Sequence, residues 1–228
     1  MVPILSIASA KGGVGKTTLA VGLGTDLALE GYRVTLFDCD NNQHATTFAR
    51  KATVSTFEVI SDVNEENLLG QIKKASATAD LIILDLPGVT SRLVMMGLAK
   101  STFVLIPCQP SLLDVRDAIR TEQQVSDAAE LSGRDIGRAI IWTRVSSGFE
   151  TRVSKAVRET LNGRNLPLLS TVLLERTAFR EMFLTGQPPR GLDSIEKPSQ
   201  AATNLRTIGV EVLERLHAKN RVETLNGQ

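Results

Sequence analysis

Two rhythms of apolar residues run through the chain. Short β-rich apolar runs recur at Ile4–Ala10, Val34–Asp38, Thr56–Ile60, Leu81–Asp85, Thr102–Pro107, Ala139–Thr143 and Leu168–Leu174. Several of them are apolar throughout rather than alternating, which marks strands covered on both faces and hence a parallel sheet. Between them the apolar positions return at helical spacing. Leu19, Leu23 and Leu27 do so within Thr17–Glu30, with Gly31 as a C-terminal stop. Further helices are expected at Glu65–Ala75, Leu112–Leu131, Thr151–Leu161, Arg176–Leu184 and Gln200–His217. Strand and helix alternate from start to finish. The pattern predicts an α/β fold: a doubly wound, mostly parallel sheet of about seven strands, helices on both faces, and a ligand crevice at the carboxyl ends of the strands.

Length and composition narrow this further. With 228 residues, 42% of them hydrophobic and 22% charged, the chain suits a single domain over residues 1–228 and excludes disorder or a small disulfide scaffold. Cys39 and Cys108 stand in separate apolar runs, so a reduced pair and a cytoplasmic setting are expected. No apolar stretch is long enough for a membrane span, and no secretion signal is legible. Thr185–Ser199 is the one long irregular stretch and is a candidate cover for a ligand, while residues after about 218 read as a frayed polar tail. The net charge of +1 hides an asymmetry: residues 1–130 carry −4 and residues 131–228 carry +5. A basic second half is suited to a polyanion or to a solvated surface.

The strongest chemical signal is Ala10-Lys11-Gly12-Gly13-Val14-Gly15-Lys16-Thr17-Thr18, placed after the first strand and opening the first helix. Strand, glycine loop and helix N-terminus together make a phosphate-binding loop. Glycines let backbone N–H groups turn inward around phosphate oxygens, and the helix end adds partial positive charge. Lys16 would reach the β- and γ-phosphates, and the Thr17 hydroxyl would take one position on Mg²⁺. Ala10 replaces the usual first glycine of the motif, and a second lysine, Lys11, follows it. Asp85, at the end of the run Leu81–Asp85, is a candidate to hold Mg²⁺ through water, with Gly88 just beyond as a γ-phosphate sensor.

The run Lys11-Gly12-Gly13-Val14-Gly15-Lys16-Thr17-Thr18 resembles the deviant Walker A loop of the ParA/MinD family of partitioning and positioning ATPases, and is most like that of small ParA-type members. The resemblance implies a P-loop NTPase that is a slow, partner-stimulated ATP hydrolase. Lys11 would cross a dimer interface to the nucleotide of the partner subunit and act in catalysis with Lys16. Asp38 and Asp40 resemble the family's Asp-x-Asp, Asp38 beside the metal and Asp40 orienting the attacking water. After Asp40 the family usually continues Pro-Gln-Gly, whereas this chain has Asn41-Asn42-Gln43. The family's adenine contact follows the sixth strand, where Thr143 and Arg144 stand here.

By the same resemblance, the ATP-bound homodimer would bind DNA without sequence preference, sit on the nucleoid and answer to a centromere-binding adaptor of ParB type in plasmid or chromosome partition. Residues 131–180 hold nine Lys or Arg against four Asp or Glu, and Arg152, Lys155 and Arg180 are the candidate phosphate contacts. The first strand begins at Ile4, which argues against an upstream operator-binding motif, and the terminal segment Arg215–Gln228 is a poor membrane anchor. Two other readings remain open: a positioning or DNA-transfer adaptor ATPase acting on a protein complex, and a metabolic P-loop ligase of the dethiobiotin synthetase type.

Overall fold

The computed structural model describes residues 2–146, 155–157, 159, 161, 166–191 and 198–226. Six strands form one sheet: β1 Ile4–Ile7, β2 Val34–Asp38, β3 Phe57–Ile60, β4 Leu81–Asp85, β5 Phe103–Cys108 and β6 Gly137–Trp142. All pairings are parallel, and the order is β3-β2-β4-β1-β5-β6. β1, β2, β4 and β5 are buried along their whole length, in keeping with their predominantly apolar sequences.

Helices cover both faces: α1 Lys16–Leu29, α2 His44–Ala49, α3 Leu68–Ala75, α4 Arg92–Lys100, α5 Leu112–Ser132, α6 Ala178–Thr185 and α7 Pro198–Asn226. One core joins one sheet face to α1, α6 and α7 through Leu19, Leu23, Phe179, Met182, Leu205 and Ile208. The other joins the opposite face to α3, α4 and α5 through Leu68, Ile72, Leu98, Val115 and Val125. Gly31 ends α1 as expected. Its φ of 99° lets the Tyr32 amide donate to Leu27 O and the Gly31 amide to Ala28 O, which closes the helix end.

The expected seventh strand, Leu168–Leu174, is only two parallel bridges, Ile140 with Leu168 and Val145 with Leu174. The cause lies in α7. Glu211 accepts hydrogen bonds from the Ser170 and Thr171 amides at 2.8 and 3.0 Å and from both hydroxyls. Asn204, about two turns earlier, accepts from the Leu174 amide and donates to Val172 O. Side chains of one helix thus hold Ser170–Val172, the stretch between the backbone bonds from Leu169 N to Ile140 O and from Leu173 N to Trp142 O, so that pairing with β6 is interrupted.

These bonds also set a titration. Burial opposes the ionisation of Glu211, but the hydrogen bonds from Ser170 and Thr171 outweigh it and hold the carboxyl down at about 2. Because the folded value lies below the ordinary 4.5, this stabilisation is complete above pH 4.5 and is lost as the pH falls towards 2. Glu211→Gln should cost about 1–2 kcal/mol in urea unfolding at pH 7, a value discounted for solvent screening, and the difference from the parent should shrink at pH 3. An undiminished difference at pH 3 would remove the carboxylate from the account.

Elsewhere the elements depart from expectation in understandable ways. Helices α2 and α4 carry no clear sequence periodicity; α4 is set by its cap, Ser91 Oγ accepting from the Val94 amide. The segment beyond His217, expected to be a frayed tail, continues as helix to Asn226. The described part of the Thr185–Ser199 loop packs away from the phosphate loop. Arg190 there donates to Asp26 and Glu30, at the far end of α1.

Candidate nucleotide and metal site

The loop between β1 and α1 lies at the carboxyl edge of the sheet, where the chain turns from β1 towards β2 on one side and from β4 towards β5 on the other. This is the switch point of a doubly wound sheet, where ligands bind. Gly13 and Gly15 have φ of 74° and 99°, a backbone region that side-chain-bearing residues avoid. Three loop carbonyls are turned outward by side chains. Lys16 Nζ donates to Lys11 O at 3.1 Å, Gln109 Nε2 to Gly13 O at 3.1 Å, and the buried Thr143 hydroxyl to Val14 O at 2.8 Å. With these carbonyls engaged, the loop presents its amides and the first turn of α1 to an anion.

Lys16 is buried, and burial lowers its pKa, with Asp85 and then Asp40 pulling it back up. The net shift is downward, with the two carboxylates across the cleft offsetting part of the cost of burial. Asp38 and Asp85 stand in register on adjacent strands, so their side chains share a face, and both are buried. Burial, reinforced by Asp38 and Asp40 and opposed by Thr17 and Lys16, pushes Asp85 up to about 7. Asp38 Oδ1 and the Asp85 oxygens are buried with no well-formed hydrogen bond, the Thr17 hydroxyl being the nearest donor to Asp85, while Asp38 Oδ2 accepts from the Thr46 amide and hydroxyl at 2.8 Å.

Orphaned carboxylate oxygens beside a phosphate loop are the donor set that Mg²⁺ and its water shell satisfy, so the residues fit that ion. Among the described residues no group of three or more His, Cys, Asp or Glu could hold a metal by itself. Thr17, Asp38 and Asp85 would share the ion with phosphate oxygens.

Asp40 lies just past β2. Its Oδ1 accepts from the Asn42 amide at 3.0 Å and from Asn42 Nδ2 at 2.8 Å, an Asx turn. Gln43 follows with φ of 49°, at the place where the resembled motif has glycine. The left-handed turn is thus kept without the residue that adopts it freely, at roughly 1 kcal/mol of strain. On the other side of the loop, a Cβ added to Gly88 would stand 3.0 Å from Gly12 N and from Lys11 C and O. That contact puts the segment after β4 directly against the phosphate loop.

Lys11 is half-exposed at the rim, and its Nζ pairs with Asp114 Oδ1 at 3.1 Å. Asp114 is part of the N-terminal cap of α5. It is the third residue of α5, its amide donates to Ser111 Oγ, and the Ser111 hydroxyl donates back to Oδ2. The sequence Ser111-x-x-Asp114 carries that capping pattern and no sign of the lysine.

A cleft of about 180 Å³ opens beside Gly15 and Thr18, lined also by Thr143, Arg144, Glu175, Arg176 and Phe179. Thr143, expected at the base, lies under the loop: its hydroxyl goes to Val14 O and its methyl is 3.9 Å from where a Gly15 Cβ would stand. Arg144, at φ 53°, is exposed on the cleft wall. Arg176, which the sequence did not single out for the cleft, brings a buried Nε that lacks a partner. Arg180, proposed for DNA, lines this cleft and its neighbour with Thr17 and His44. Lys155 is exposed, and Arg152 lies outside the described residues.

Cys39, just past β2, and Cys108, at the end of β5, are free and buried with β4 and β1 between those strands, and burial pushes the Cys108 thiol up to about 12. No helix among the described residues is long and apolar enough to cross a membrane.

The comparisons with known proteins agree with this geometry. The family model described as VirC1 protein matches residues 2–208. The Protein ParA of Rhizobium radiobacter is 32% identical over 216 residues, covering 94% of this chain and 97% of its own. Among solved structures, apo McdA of Cyanothece superposes with a TM-score of 0.72 at 21% identity over 89% of this chain and 98% of its own. A protein of Borrelia burgdorferi, named for plasmid partition and bound to AMPPNP, gives 0.68 at 19% identity over 92% and 99%. The phosphate loop with its second lysine, the parallel sheet around it and a family match over nine-tenths of the chain lead to one assignment: the chain belongs to the VirC1 family of ParA/MinD-type P-loop ATPases.

Proposed function

We propose that this protein is an ATP-driven dimerising switch: two subunits close around two ATP·Mg²⁺, the closed pair binds DNA without sequence preference, and hydrolysis releases it. The observation that carries this reading is the rim around Lys11. Its amine is half-exposed at the mouth of the phosphate loop. Leu112 and Leu113, next to Asp114, and Val89, next to Gly88, are 60%, 65% and 59% exposed. Apolar side chains ringing a cation beside a nucleotide site suit a face that is covered in the active state.

In the site, the loop amides and Lys16 bind and orient the β- and γ-phosphates, while Thr17, Asp38 and Asp85 hold the ion. Mg²⁺, when bound, supplies neutralisation of the phosphate charge that shifts during transfer. Asp40 orients the attacking water, and Lys11 of each subunit stabilises charge on the leaving group in the other. Such a site couples nucleotide state to assembly, because the ligand favours one of two association states. The task this reading assigns is partition of a plasmid or chromosome, with a centromere-binding adaptor of ParB type as the proposed stimulating partner.

Sedimentation with ADP and with a non-hydrolysable ATP analogue tests the switch, and filter retention of random DNA tests its output. The expected result is a dimer and DNA retention with the analogue only, with retention falling steeply as salt rises. A dimer that ignores random DNA would instead point to an adaptor acting on a protein complex. A chain that stays monomeric when saturated with the analogue overturns the switch itself.

A further inference from the structure

The dimerising reading gives Lys11 a role outside its own subunit, yet the structure shows the same amine engaged at home. Lys11 Nζ is 3.1 Å from Asp114 Oδ1, and the Asp114 carboxylate is 95% buried. Its second oxygen is taken by the Ser111 hydroxyl, so Oδ1 has Lys11 as its charged partner. The same helix holds the loop at another point, the Ala10 amide donating to Thr121 Oγ1 at 2.9 Å, with Gln109 just before it bonded to Gly13 O. α5 and its leading turn therefore grip the loop on both sides of Lys11.

We infer that Asp114 is a positioning residue that latches Lys11 in its own subunit and so sets the threshold for dimerisation; this rests on the dimerising function proposed above. For Lys11 to reach a second nucleotide, the ion pair must open and leave a buried carboxylate with one oxygen unpaired. A carboxylate in that state is unfavourable by far more than a surface charge. Only a triphosphate in the partner, with its larger negative charge, offsets that cost. ADP does not, and the latch becomes part of how the two nucleotides are told apart. Capping of α5 alone does not account for the arrangement, because the cap uses the Asp114 amide and Oδ2 and leaves Oδ1 for the lysine.

Asp114→Asn keeps the shape and the capping amide while removing the charge. In sedimentation with the ATP analogue, the protein concentration at half-dimer should fall at least about tenfold, since two charge-assisted bonds, one in each subunit, no longer oppose association. Asp114→Glu, which restores a carboxylate within reach of the flexible lysine, should move it back towards the parent. A second readout needs no variant. In the ADP-bound parent, acetylation of the Lys11 amine, followed by mass spectrometry, should run at least about fivefold slower than that of exposed Lys73.

A parent that dimerises with an Asp114→Asn midpoint unchanged or raised overturns the latch and leaves the switch standing. Acetylation of Lys11 as fast as that of Lys73 overturns it too, even if the variant fails to fold. A parent that never dimerises removes the switch on which the latch rests, and the acetylation rate still reports the pair.

Discussion

Lys16→Ala is expected to lower the affinity for ATP at least about a hundredfold and to take turnover below detection, read by fluorescent-nucleotide titration and phosphate release. The expectation follows from where the ammonium sits. It is buried at the foot of the loop, facing Asp85 and Asp40, and donates to the Lys11 carbonyl. Removing it leaves three carboxylates, Asp38, Asp40 and Asp85, facing an incoming triphosphate with one fewer cation. Each charge-assisted hydrogen bond lost to phosphate is worth about 1.5–3 kcal/mol, and a bridging lysine makes more than one. The loop itself should survive, since Gln109 and Thr143 still hold the Gly13 and Val14 carbonyls. A melting temperature close to the parent together with lost binding is thus the pattern to look for. Parent-like nucleotide affinity in Lys16→Ala would show that the anion sits elsewhere.

Much of this site could be read before any coordinates. The loop was legible because its chemistry needs glycines at fixed spacing after a strand, and Asp38 and Asp85 because they end unbroken apolar runs at the crevice edge. Three parts could not be read. The pairing of Lys11 with Asp114 joins residues 103 positions apart, and nothing local to Asp114 distinguishes it from a cap. The interruption of the seventh strand falls where Glu211 and Asn204 of α7 bond the backbone of Ser170–Leu174, a contact that periodicity alone does not show. Thr143 was placed at the base from its position after β6, but a short hydroxyl within 2.8 Å of the Val14 carbonyl is spent on the loop. Each of these is a side chain choosing between two partners, a choice settled by tertiary distance.

Asp40→Ala separates binding from chemistry. The groups proposed to hold nucleotide and ion, namely the loop amides, Lys16, Thr17, Asp38 and Asp85, are untouched by it, so ATP affinity should stay within about threefold and the analogue should still drive dimerisation. What disappears is the carboxylate proposed to orient water, and the turnover rate should fall about a hundredfold or more, the scale of losing a positioned base. The Asx turn complicates the variant, because Asp40 Oδ1 also receives both bonds from Asn42 and precedes the strained Gln43. Asn42→Ala is the control: it loosens the same turn while leaving the carboxylate. If the fall in rate came from a relaxed turn, Asn42→Ala would reproduce it. If it comes from the carboxylate, Asn42→Ala should keep most of the activity, since freeing Oδ1 removes competition for the water. Single-turnover hydrolysis of prebound ATP compares the three proteins without interference from product release. Asp40→Ala that cleaves its bound ATP at the parent's rate would remove Asp40 from the chemistry and leave only its turn.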